Sequence, residues 1–232
     1  MRAVVIGASG GIGTALASRL AADGRYETVF GVSRSGRAPD GVTALQADIT
    51  DLASLEAAAA AVGDPVDLCV VATGVLHDGF QPERSWRSLD AAHLKRDFEL
   101  NAVGPALAAR AFLPLAPREG RAVFAALSAR VGSIGDNRLG GWHSYRASKA
   151  ALNMILRTLS VELARTHPDM ICVGLHPGTV DTPLSEPFQK GVAPAKLFSP
   201  DQSAMRLMTV IEGLTPQDSG FVFDWKGDRL PE

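Results

Sequence analysis

The chain has no excess of basic residues and no long apolar run. Its 232 residues carry 23 Lys or Arg against 25 Asp or Glu, for a formal net charge of −2. The arginines are scattered, so nucleic acids and anionic membrane surfaces are disfavoured as partners. No stretch reaches the roughly 18 consecutive apolar residues of a membrane span. The first residues enter a strand pattern at once, and we therefore expect no signal peptide and a cytoplasmic location.

Cysteine and paired histidine are equally scarce. Cys69 and Cys172 each stand inside an apolar run and are expected to be buried, inert thiols. The five histidines show no metal-ligand spacing, so we expect no metal site. With 46% hydrophobic residues, the chain can pack one large core. We expect a single domain over 1–232, in which a proline-rich segment around 183–200 forms a substrate loop.

Short apolar runs alternate with helical patterns along the whole chain. The runs are continuously apolar, which is typical of parallel strands covered on both faces. We predict an α/β fold, a single-domain doubly wound (Rossmann) parallel sheet of about seven strands with helices on both faces. The predicted strands are 2–6, 27–33, 42–47, 66–72, 121–127, 170–175 and 220–224. The predicted helices are 14–22, 51–61, 89–113 with an interruption at 101–105, a long helix through 147–163, and 201–214.

A glycine-rich turn follows the first predicted strand. Gly7, Gly11 and Gly13 have the spacing G-x-x-x-G-x-G and lead into the first helix. Glycine allows a sharp turn, a close approach of backbone amides to a phosphate, and tight packing of a helix on its strand. The turn therefore predicts a dinucleotide site, with an ordinary flexible turn as the alternative.

The end of the second predicted strand bears on the choice of cofactor. About 20 residues beyond the glycines, an acidic residue would bind the ribose 2′-hydroxyl of NAD. The chain has Ser33-Arg34-Ser35 there. A guanidinium binds phosphate oxygens in pairs and suits the 2′-phosphate of NADP. We predict NADP, with NAD less favoured; a solvated Arg34 at a loop edge is the alternative.

Tyr145 and Lys149 are four residues apart near the start of the long helix, so they share one face. A neighbouring ammonium favours the phenolate, and we expect the pKa of Tyr145 to fall from about 10 toward neutrality. Such a phenol suits general acid–base catalysis, although the spacing also occurs by chance. Apolar residues at 147, 151, 155, 159 and 163 form a stripe that can pack against the sheet or a neighbouring subunit.

Taken in order, these motifs resemble the short-chain dehydrogenase/reductase family over essentially the whole chain. The matching residues are Gly7-x-x-x-Gly11-x-Gly13, Asp48, Asn101, Tyr145-x-x-x-Lys149 and Pro177-Gly178. The segment from Ser128 to Ile134 and the ending from Ser219 to Pro231 resemble the branch containing C-factor signalling proteins and sniffer-type carbonyl reductases. The resemblance implies hydride transfer between a nicotinamide and a small carbonyl or alcohol, and assembly as homodimers or homotetramers.

The resemblance also implies a role for each matching residue. Tyr145 would exchange a proton with the substrate oxygen, Lys149 would hold the nicotinamide ribose and lower the Tyr pKa, and Asn101 would support a water-linked proton relay. Asp48 would bind the adenine amino group. The residues expected to bind the cofactor are Gly7, Ser9, Gly11, Ile12, Gly13, Arg34, Asp48, Ile49, Ala72, Gly74, Tyr145, Lys149, Pro177, Gly178, Val180 and Thr182.

The chain departs from the family pattern at the serine that polarises the substrate carbonyl. Family members usually carry Ser-Ser at the end of the fifth strand, and the second position here is Ala129. Ser128 is our candidate for a catalytic residue. Ser133 is closer to the customary spacing before Tyr145, and a site with neither serine is the third possibility.

The leading interpretation is an NADP-dependent carbonyl reductase or alcohol dehydrogenase acting on a small or medium, fairly apolar substrate, with Trp142 and His143 lining the pocket. The alternative is a cofactor-binding signalling or regulatory protein of the C-factor type with little catalysis, which the missing second serine favours. A sugar-nucleotide epimerase is less favoured, because the short C-terminal portion leaves little room for a substrate domain.

Overall fold

The protein is described here by a computed structural model that covers residues 1–63, 65–77 and 79–232. The strands in that part of the chain are β1 (Arg2–Ile6), β2 (Thr28–Ser33), β3 (Thr43–Gln46), β4 (Leu68–Val71), β5 (Ala122–Leu127), β6 (Met170–His176), β7 (Thr179–Val180), β8 (Leu197–Phe198) and β9 (Val222–Asp224). The α-helices are α1 (Gly11–Ala22), α2 (Leu52–Val62), α3 (Ala91–Phe98), α4 (Gly104–Phe112), α5 (His143–Leu163) and α6 (Pro200–Gly213).

Seven strands form one parallel sheet in the order β3-β2-β1-β4-β5-β6-β9. The strand order reverses between β1 and β4, where the chain crosses from one half of the sheet to the other. In such sheets, ligands bind outside the carboxyl ends of the strands at this reversal. The predicted doubly wound fold is confirmed, and it places a binding crevice beside the glycine turn.

Successive residues of each strand face opposite sides of the sheet, and each side has its own core. On one side, strand residues such as Val4 and Phe124 pack with Leu55 of α2 and Leu152 of α5. On the other side, α1 and α6 cover the sheet with side chains that include Leu16, Leu20, Ala204 and Leu207. Continuous apolar strands are therefore required, because both faces of the sheet are buried.

Two predicted helix boundaries differ from the structure. The first helix begins at Gly11, three residues before the predicted start, so Gly11 and Gly13 belong to its first turn. The helix predicted over 89–113 consists of α3 and α4 joined by a π-helical turn, Glu99–Val103. The predicted interruption is therefore present, and its form is one wide turn rather than a break.

The face of α5 that packs most deeply on the sheet is not the apolar stripe, which was predicted to pack against either the sheet or a neighbouring subunit; only Leu159 and Leu163 of that stripe pack against the core. The buried positions of α5 are Ser144, Ser148, Lys149, Leu152, Leu156 and Ser160. The predicted stripe lies one position away from this face: Ala147 is exposed, and 151, 155, 159 and 163 are only partly buried. Three serines and a lysine stand on the buried face, so apolar spacing alone could not identify it.

The segment predicted as a substrate loop is partly ordered by a second, two-stranded sheet. β7 pairs with β8, and the Asp181 amide donates to the Phe198 carbonyl over 2.8 Å. Between them lie two short 3₁₀ turns, Glu186–Phe188 and Pro194–Lys196. No sequence signal predicted this pairing, because two-residue strands have no measurable periodicity.

The cysteines lie where the sequence predicted them. Cys69 and Cys172 are both buried in the sheet core and unpaired, and burial raises the pKa of Cys172 to about 12. Among the described residues, every helix is too short or too polar to cross a lipid bilayer.

Candidate active site

A cleft of about 330 Å³ opens at the carboxyl ends of β1, β2 and β4. Six residues predicted to bind the cofactor line it, namely Gly7, Ser9, Arg34, Ile49, Ala72 and Gly74. Further lining residues that the sequence did not single out are Gly10, Ser33, Thr73, Val75, Arg96 and Leu100. The cleft lies at the reversal of the strand order, where this fold binds its ligands.

The glycine turn is built by close approaches that side chains would block. Gly7 has a φ of +96°, and a Cβ there would lie 3.0 Å from the Ala72 carbonyl carbon. A Cβ on Gly13 would overlap the Gly7 carbonyl oxygen, and one on Gly11 would lie 2.7 Å from the Thr182 methyl group. The first turn of α1 therefore packs directly on the turn after β1.

The N-terminus of α1 suits a phosphate. Gly10 is its N-cap and the first turn consists of the neutral residues Gly11 to Thr14, so the helix amides face the cleft uncompensated by a carboxylate. The partial positive charge of a helix N-terminus attracts anions. Ile12 packs its side chain against the core under α1, so it could contact a cofactor through its backbone.

Arg34 and Asp48 lie together at the far end of the cleft. Arg34 is exposed. The loop that carries it is stabilised by a hydrogen bond from the Arg37 amide to Ser33 Oγ over 2.9 Å. Asp48 Oδ1 accepts from the backbone amide and the hydroxyl of Thr50. These hydrogen bonds, aided by Arg34 and Arg96, lower the pKa of Asp48. A guanidinium and a carboxylate therefore both reach this end of the cleft.

Asn101 is fixed on both sides of its amide within the π-helical turn. Its Oδ1 accepts from the Val75 amide and its Nδ2 donates to the Val75 carbonyl, each over 2.9 Å. Nδ2 also donates to Ser148 Oγ over 3.1 Å. Asn101 is completely buried, and it ties the segment after β4 to α5.

Lys149 lies beside Asn101 at the mouth of the cleft. Its Nζ donates to the Leu127 carbonyl at the end of β5 over 2.8 Å. A Cβ built on Gly74 would lie 3.5 Å from Lys149 Nζ and 3.4 Å from Asn101 Oδ1, so Gly74 leaves both groups accessible from the cleft. Burial lowers the pKa of Lys149 to about 8, against the opposing charge of Asp97.

The expected lowering of the Tyr145 pKa is wrong for this structure. Burial, with the charge of Asp97, raises the pKa of Tyr145 above its ordinary value. Lys149 Nζ is 5.9 Å from the ring centroid of Tyr145. Because both members of the pair lose water, desolvation outweighs the neighbouring ammonium. Helical spacing alone could not reveal that Lys149 is buried, that Tyr145 is partly buried, or that the charge of Asp97 acts on both.

The two candidate serines have different partners. Ser128 Oγ donates to Asn153 Oδ1 on α5 over 2.6 Å. Ser133 Oγ accepts from the Asp136 amide over 3.1 Å and so closes a turn. Both serines are buried, as is Ala129. Ser128 faces the α5 side of the sheet, as do the other even-numbered residues of β5.

The segment after β6 lies across the end of the sheet from the glycine turn. Ser203 Oγ donates to the Pro177 carbonyl over 3.0 Å, which anchors the segment to α6. Gly178 has a φ of +80° and is packed against Phe198 and Trp225. Val180 is buried, and the Thr182 methyl group contacts Gly11. Of the four predicted residues of this segment, Thr182 contacts the glycine turn, whereas Pro177, Gly178 and Val180 pack against α6 and β8, and none of the four lines the cleft.

Sequence reasoning missed Glu83, which fixes the start of α5. Glu83 is 2% exposed and its carboxylate accepts from the backbone amide and the hydroxyl of Ser144, the residue before Tyr145. Its backbone carbonyl accepts from the Trp142 amide over 2.6 Å. Trp142 has a φ of 52°, a strained conformation for a bulky side chain. The signal for Glu83 is absent from the local sequence, since it lies 61 residues from Ser144.

Comparison with known proteins settles the family. The short chain dehydrogenase family matches residues 1–193. The chain belongs to this family. It is 36% identical to the C-signal of Myxococcus xanthus over 171 residues, covering 72% of this chain and 93% of that protein.

Solved structures agree with this assignment. An NADPH-bound carbonyl reductase from chicken fatty liver has a TM-score of 0.86 and 26% identity, covering 100% of this chain and 94% of that one. A short-chain dehydrogenase/reductase from Burkholderia multivorans with bound NADP has a TM-score of 0.82 and 26% identity, covering 100% and 99%. This short-chain dehydrogenase is therefore an NAD(P)-dependent oxidoreductase of the carbonyl reductase type.

Proposed function

We propose that this short-chain dehydrogenase is an NADP-dependent carbonyl reductase, or in the reverse direction an alcohol dehydrogenase, with Tyr145 as general acid and base. The observation that carries the proposal is the position of Lys149. Its ammonium lies on the same face of α5 as Tyr145, against Gly74 and Asn101, at the mouth of the cleft that the glycine turn forms. A proton donor therefore stands beside a site shaped for a dinucleotide.

The residues present fit a nicotinamide dinucleotide. The N-terminus of α1, which has no side-chain cap, would hold the pyrophosphate together with Gly7 and Ser9 of the cleft. Ile49, Ala72 and Gly74 would flank the adenosine and ribose groups, and Asp48 would accept from the adenine amino group. Pro177, Gly178, Val180 and Thr182 would hold the nicotinamide end. Arg34 would bind the 2′-phosphate and so select NADP over NAD.

In the direction of reduction, a nicotinamide held in the cleft would supply the hydride that the carbonyl carbon receives. Tyr145 donates its phenolic proton to the carbonyl oxygen, so that an alcohol forms and a tyrosinate remains. The charge of Lys149 stabilises that tyrosinate. Asn101 and Ser148 join the Val75 backbone to α5, and Asn101 would thereby support a water-linked proton relay that returns a proton to Tyr145.

Ser128 is proposed as the donor that polarises the substrate oxygen. The role requires its hydroxyl to turn from Asn153 toward the substrate, because one hydroxyl proton serves one acceptor. Ser133 remains the alternative, and its oxygen already accepts from a backbone amide that holds a turn.

The substrate would lie against aromatic side chains. A cavity of about 530 Å³ is lined by the aromatic residues Trp142 and Phe188 and the prolines Pro82 and Pro187, together with the polar residues Gln81, Glu83, Arg84 and Ser88. Trp142 meets Phe188 edge-on at 5.0 Å and lies 6.3 Å from the Tyr145 ring. Such walls favour a fairly apolar carbonyl of small or medium size. His143 precedes Ser144 at the first turn of α5 and is partly buried.

Assembly as a homodimer or homotetramer is supported by the outer face of α5. Met154 is 65% exposed and Val161 is 48% exposed on this long helix. Apolar residues on an exposed helix face are suited to an interface between copies.

The test is turnover of NADPH by the Tyr145→Phe variant across a panel of small carbonyl compounds. Loss of the phenolic proton is expected to lower kcat roughly a thousandfold while NADPH binding is retained. Tyr26→Phe is the matched control, because Tyr26 is the other tyrosine of the chain and lies apart from the site. Unimpaired turnover by Tyr145→Phe would overturn the assignment.

A second candidate function is a cofactor-binding signalling or regulatory role with little catalysis. The bond from Ser128 to Asn153 and the presence of Ala129 favour it, as does the similarity to the C-signal. Tight binding of NADPH without its oxidation on any carbonyl of the panel would support this candidate over the reductase.

A further inference from the structure

Three buried ionisable side chains, Glu83, His93 and Asp97, form a row behind the Tyr145–Lys149 pair. Glu83 Oε1 is 3.4 Å from His93 Nδ1, and His93 Nε2 is 3.6 Å from Asp97 Oδ1. The side chains of all three are at most 3% exposed. Phe80 stacks on the His93 ring with a centroid separation of 4.8 Å and an interplanar angle of 4°. The imidazole therefore lies between two carboxyl groups, and its buried Nε2 makes no hydrogen bond to any described residue.

Glu83 and Asp97, at the two ends of this row, differ in their hydrogen bonds. Glu83 accepts hydrogen bonds from Ser144, and these bonds hold the pKa of Glu83 below its usual value although burial opposes them. Asp97 has one oxygen, Oδ2, that is buried and receives no hydrogen bond from any described residue. A carboxylate left in this state is costly unless a charge compensates it, because burial strips its water.

Lys149 supplies such a compensating charge. Asp97 interacts electrostatically with Lys149 and with Tyr145, both on α5. α3 packs along α5. Asp97 lies one helical turn before Asn101, and Asn101 joins the π-helical turn to Ser148 of α5. The buried carboxylate and the buried ammonium thus belong to one interface between α3 and α5.

We propose that Asp97 is a positioning residue for the proposed reductase: its carboxylate, buried next to His93, balances the charge of Lys149 and keeps that ammonium protonated beside the cleft. The inference rests on the proposed function, because it is the reaction at Tyr145 that needs the ammonium. Neither Asp97 nor His93 touches the cleft, so Asp97 acts through Lys149.

The protonation states are consistent with this role. Burial raises the pKa of Asp97 to about 6, with Glu83 adding to the rise and His93, Lys149 and Arg96 opposing it. Since burial lowers the pKa of Lys149 to about 8, the carboxylate and the ammonium are both charged between these two values. Removing the carboxylate should lower the pKa of Lys149 further.

The experiment follows Lys149 directly in the free protein by NMR titration of the lysine Cε signals. Lys149 is one of five lysines in the chain, and Lys149→Met assigns its signal. Asp97→Asn, which is nearly isosteric, is expected to lower the Lys149 midpoint by about one pH unit. Asp97→Ala is the second variant, in case the asparagine does not fold, and it should shift the midpoint in the same direction.

Glu99→Gln is the matched control. Glu99 lies two residues from Asp97, but its side chain is 52% exposed and pairs with Arg96 at 3.6 Å. An exposed charge is screened by solvent, so this variant should leave the Lys149 midpoint unchanged. The proposal is overturned if neither Asp97 variant moves the midpoint, or if Glu99→Gln moves it equally.

A kinetic measurement separates this proposal from the proposed function. If Lys149 must be charged for reduction, the alkaline limb of the kcat profile should move to lower pH by the same amount in Asp97→Asn, with KM for NADPH little changed below the limb. A shifted NMR midpoint in a protein that oxidises no NADPH would uphold the charge balance and reject the reductase. An unchanged Lys149 midpoint in an enzyme that oxidises NADPH would reject the charge balance and uphold the reductase.

Discussion

The two halves of the site are built in different ways. The dinucleotide cleft is made by backbone and by missing side chains, with Gly7, Gly11 and Gly13 packed in direct contact with their neighbours. The Tyr145 end is made by buried polar side chains, with Asn101 and Lys149 bonded to backbone carbonyls of other elements. The first half depends on space, and the second on charge and hydrogen bonds.

This difference decides how each half should fail. A methyl group added to the cleft collides with backbone, which cannot move away without distorting the sheet. A polar group removed from the Tyr145 end relieves the cost of burying that group, although its buried partner then loses a hydrogen bond or a compensating charge. Mutations in the cleft should therefore lower stability, whereas some mutations at the Tyr145 end should raise it.

The largest effect is expected for Gly13→Ala. Its Cβ would overlap the Gly7 carbonyl oxygen and lie 2.8 Å from the Gly7 carbonyl carbon. We expect a loss of roughly 3 kcal/mol in the free energy of unfolding, together with loss of cofactor binding, measured by denaturant titration and NADPH fluorescence. Gly213→Ala is the control, because a Cβ there meets no described atom within 4 Å. Equal stability of the two variants would show that the close packing at Gly13 does not matter.

The next effect concerns the serine. If Ser128 polarises the substrate oxygen, Ser128→Ala should lower kcat about a hundredfold with NADPH affinity retained. Ser133→Ala should change kcat little, because its oxygen accepts from Asp136 rather than facing the substrate. Reversal of the two results would identify Ser133 as the donor. Two unimpaired variants would mean that this site works with neither serine.

Lys149→Met should make the protein more stable while abolishing reduction. The shift of its pKa from 10.5 to about 8 corresponds to roughly 3 kcal/mol of destabilisation. The Leu127 carbonyl left without its donor offsets about 1 kcal/mol of the gain. The Asp97 carboxylate left without the Lys149 charge offsets about 1 kcal/mol more, so we expect a net gain of roughly 1 kcal/mol in the free energy of unfolding.

The pH dependence of that gain tests its cause. Because the pKa is lowered in the folded state, the burial cost is complete below pH 8 and disappears as pH rises toward the unfolded value of 10.5. The advantage of Lys149→Met in thermal denaturation should shrink over the same range. Lys95→Met changes an exposed lysine and should match the parent protein at every pH. A gain that does not vary with pH would point to apolar packing instead.

The sequence predicted the cleft better than the Tyr145 end, and the reason is physical. A position where the backbone packs against another backbone segment requires glycine, so the sequence itself marks it. Gly7 and Gly13 could therefore be identified from their spacing alone. The continuous apolar strands likewise predicted a sheet buried on both faces. By contrast, the raised pKa of Tyr145 depends on burial by distant elements, which no local pattern records.

Long-range partners account for most of what was missed. Glu83 meets Ser144 across 61 residues, and Asp97 acts on α5 from another helix. Glu and Asp are usually surface residues, and Glu83 and Asp97 become buried only through the fold. The most deeply packed face of α5 was not identified for the same reason, because serines and a lysine occupy it.

The smallest effect is expected at the edge of the cleft, where Arg34 is exposed to solvent. If its guanidinium binds the 2′-phosphate, Arg34→Ala should weaken NADPH at least about tenfold more than NADH, since NADH has no phosphate at that position. Isothermal titration with both cofactors measures this ratio. Arg110→Ala, another exposed arginine, paired with Glu56 on the outside of the fold, should change neither affinity. Equal losses for NADPH and NADH in Arg34→Ala would mean that this arginine does not select the cofactor. Arg96, which also lines the cleft, would then be the next candidate for binding the 2′-phosphate.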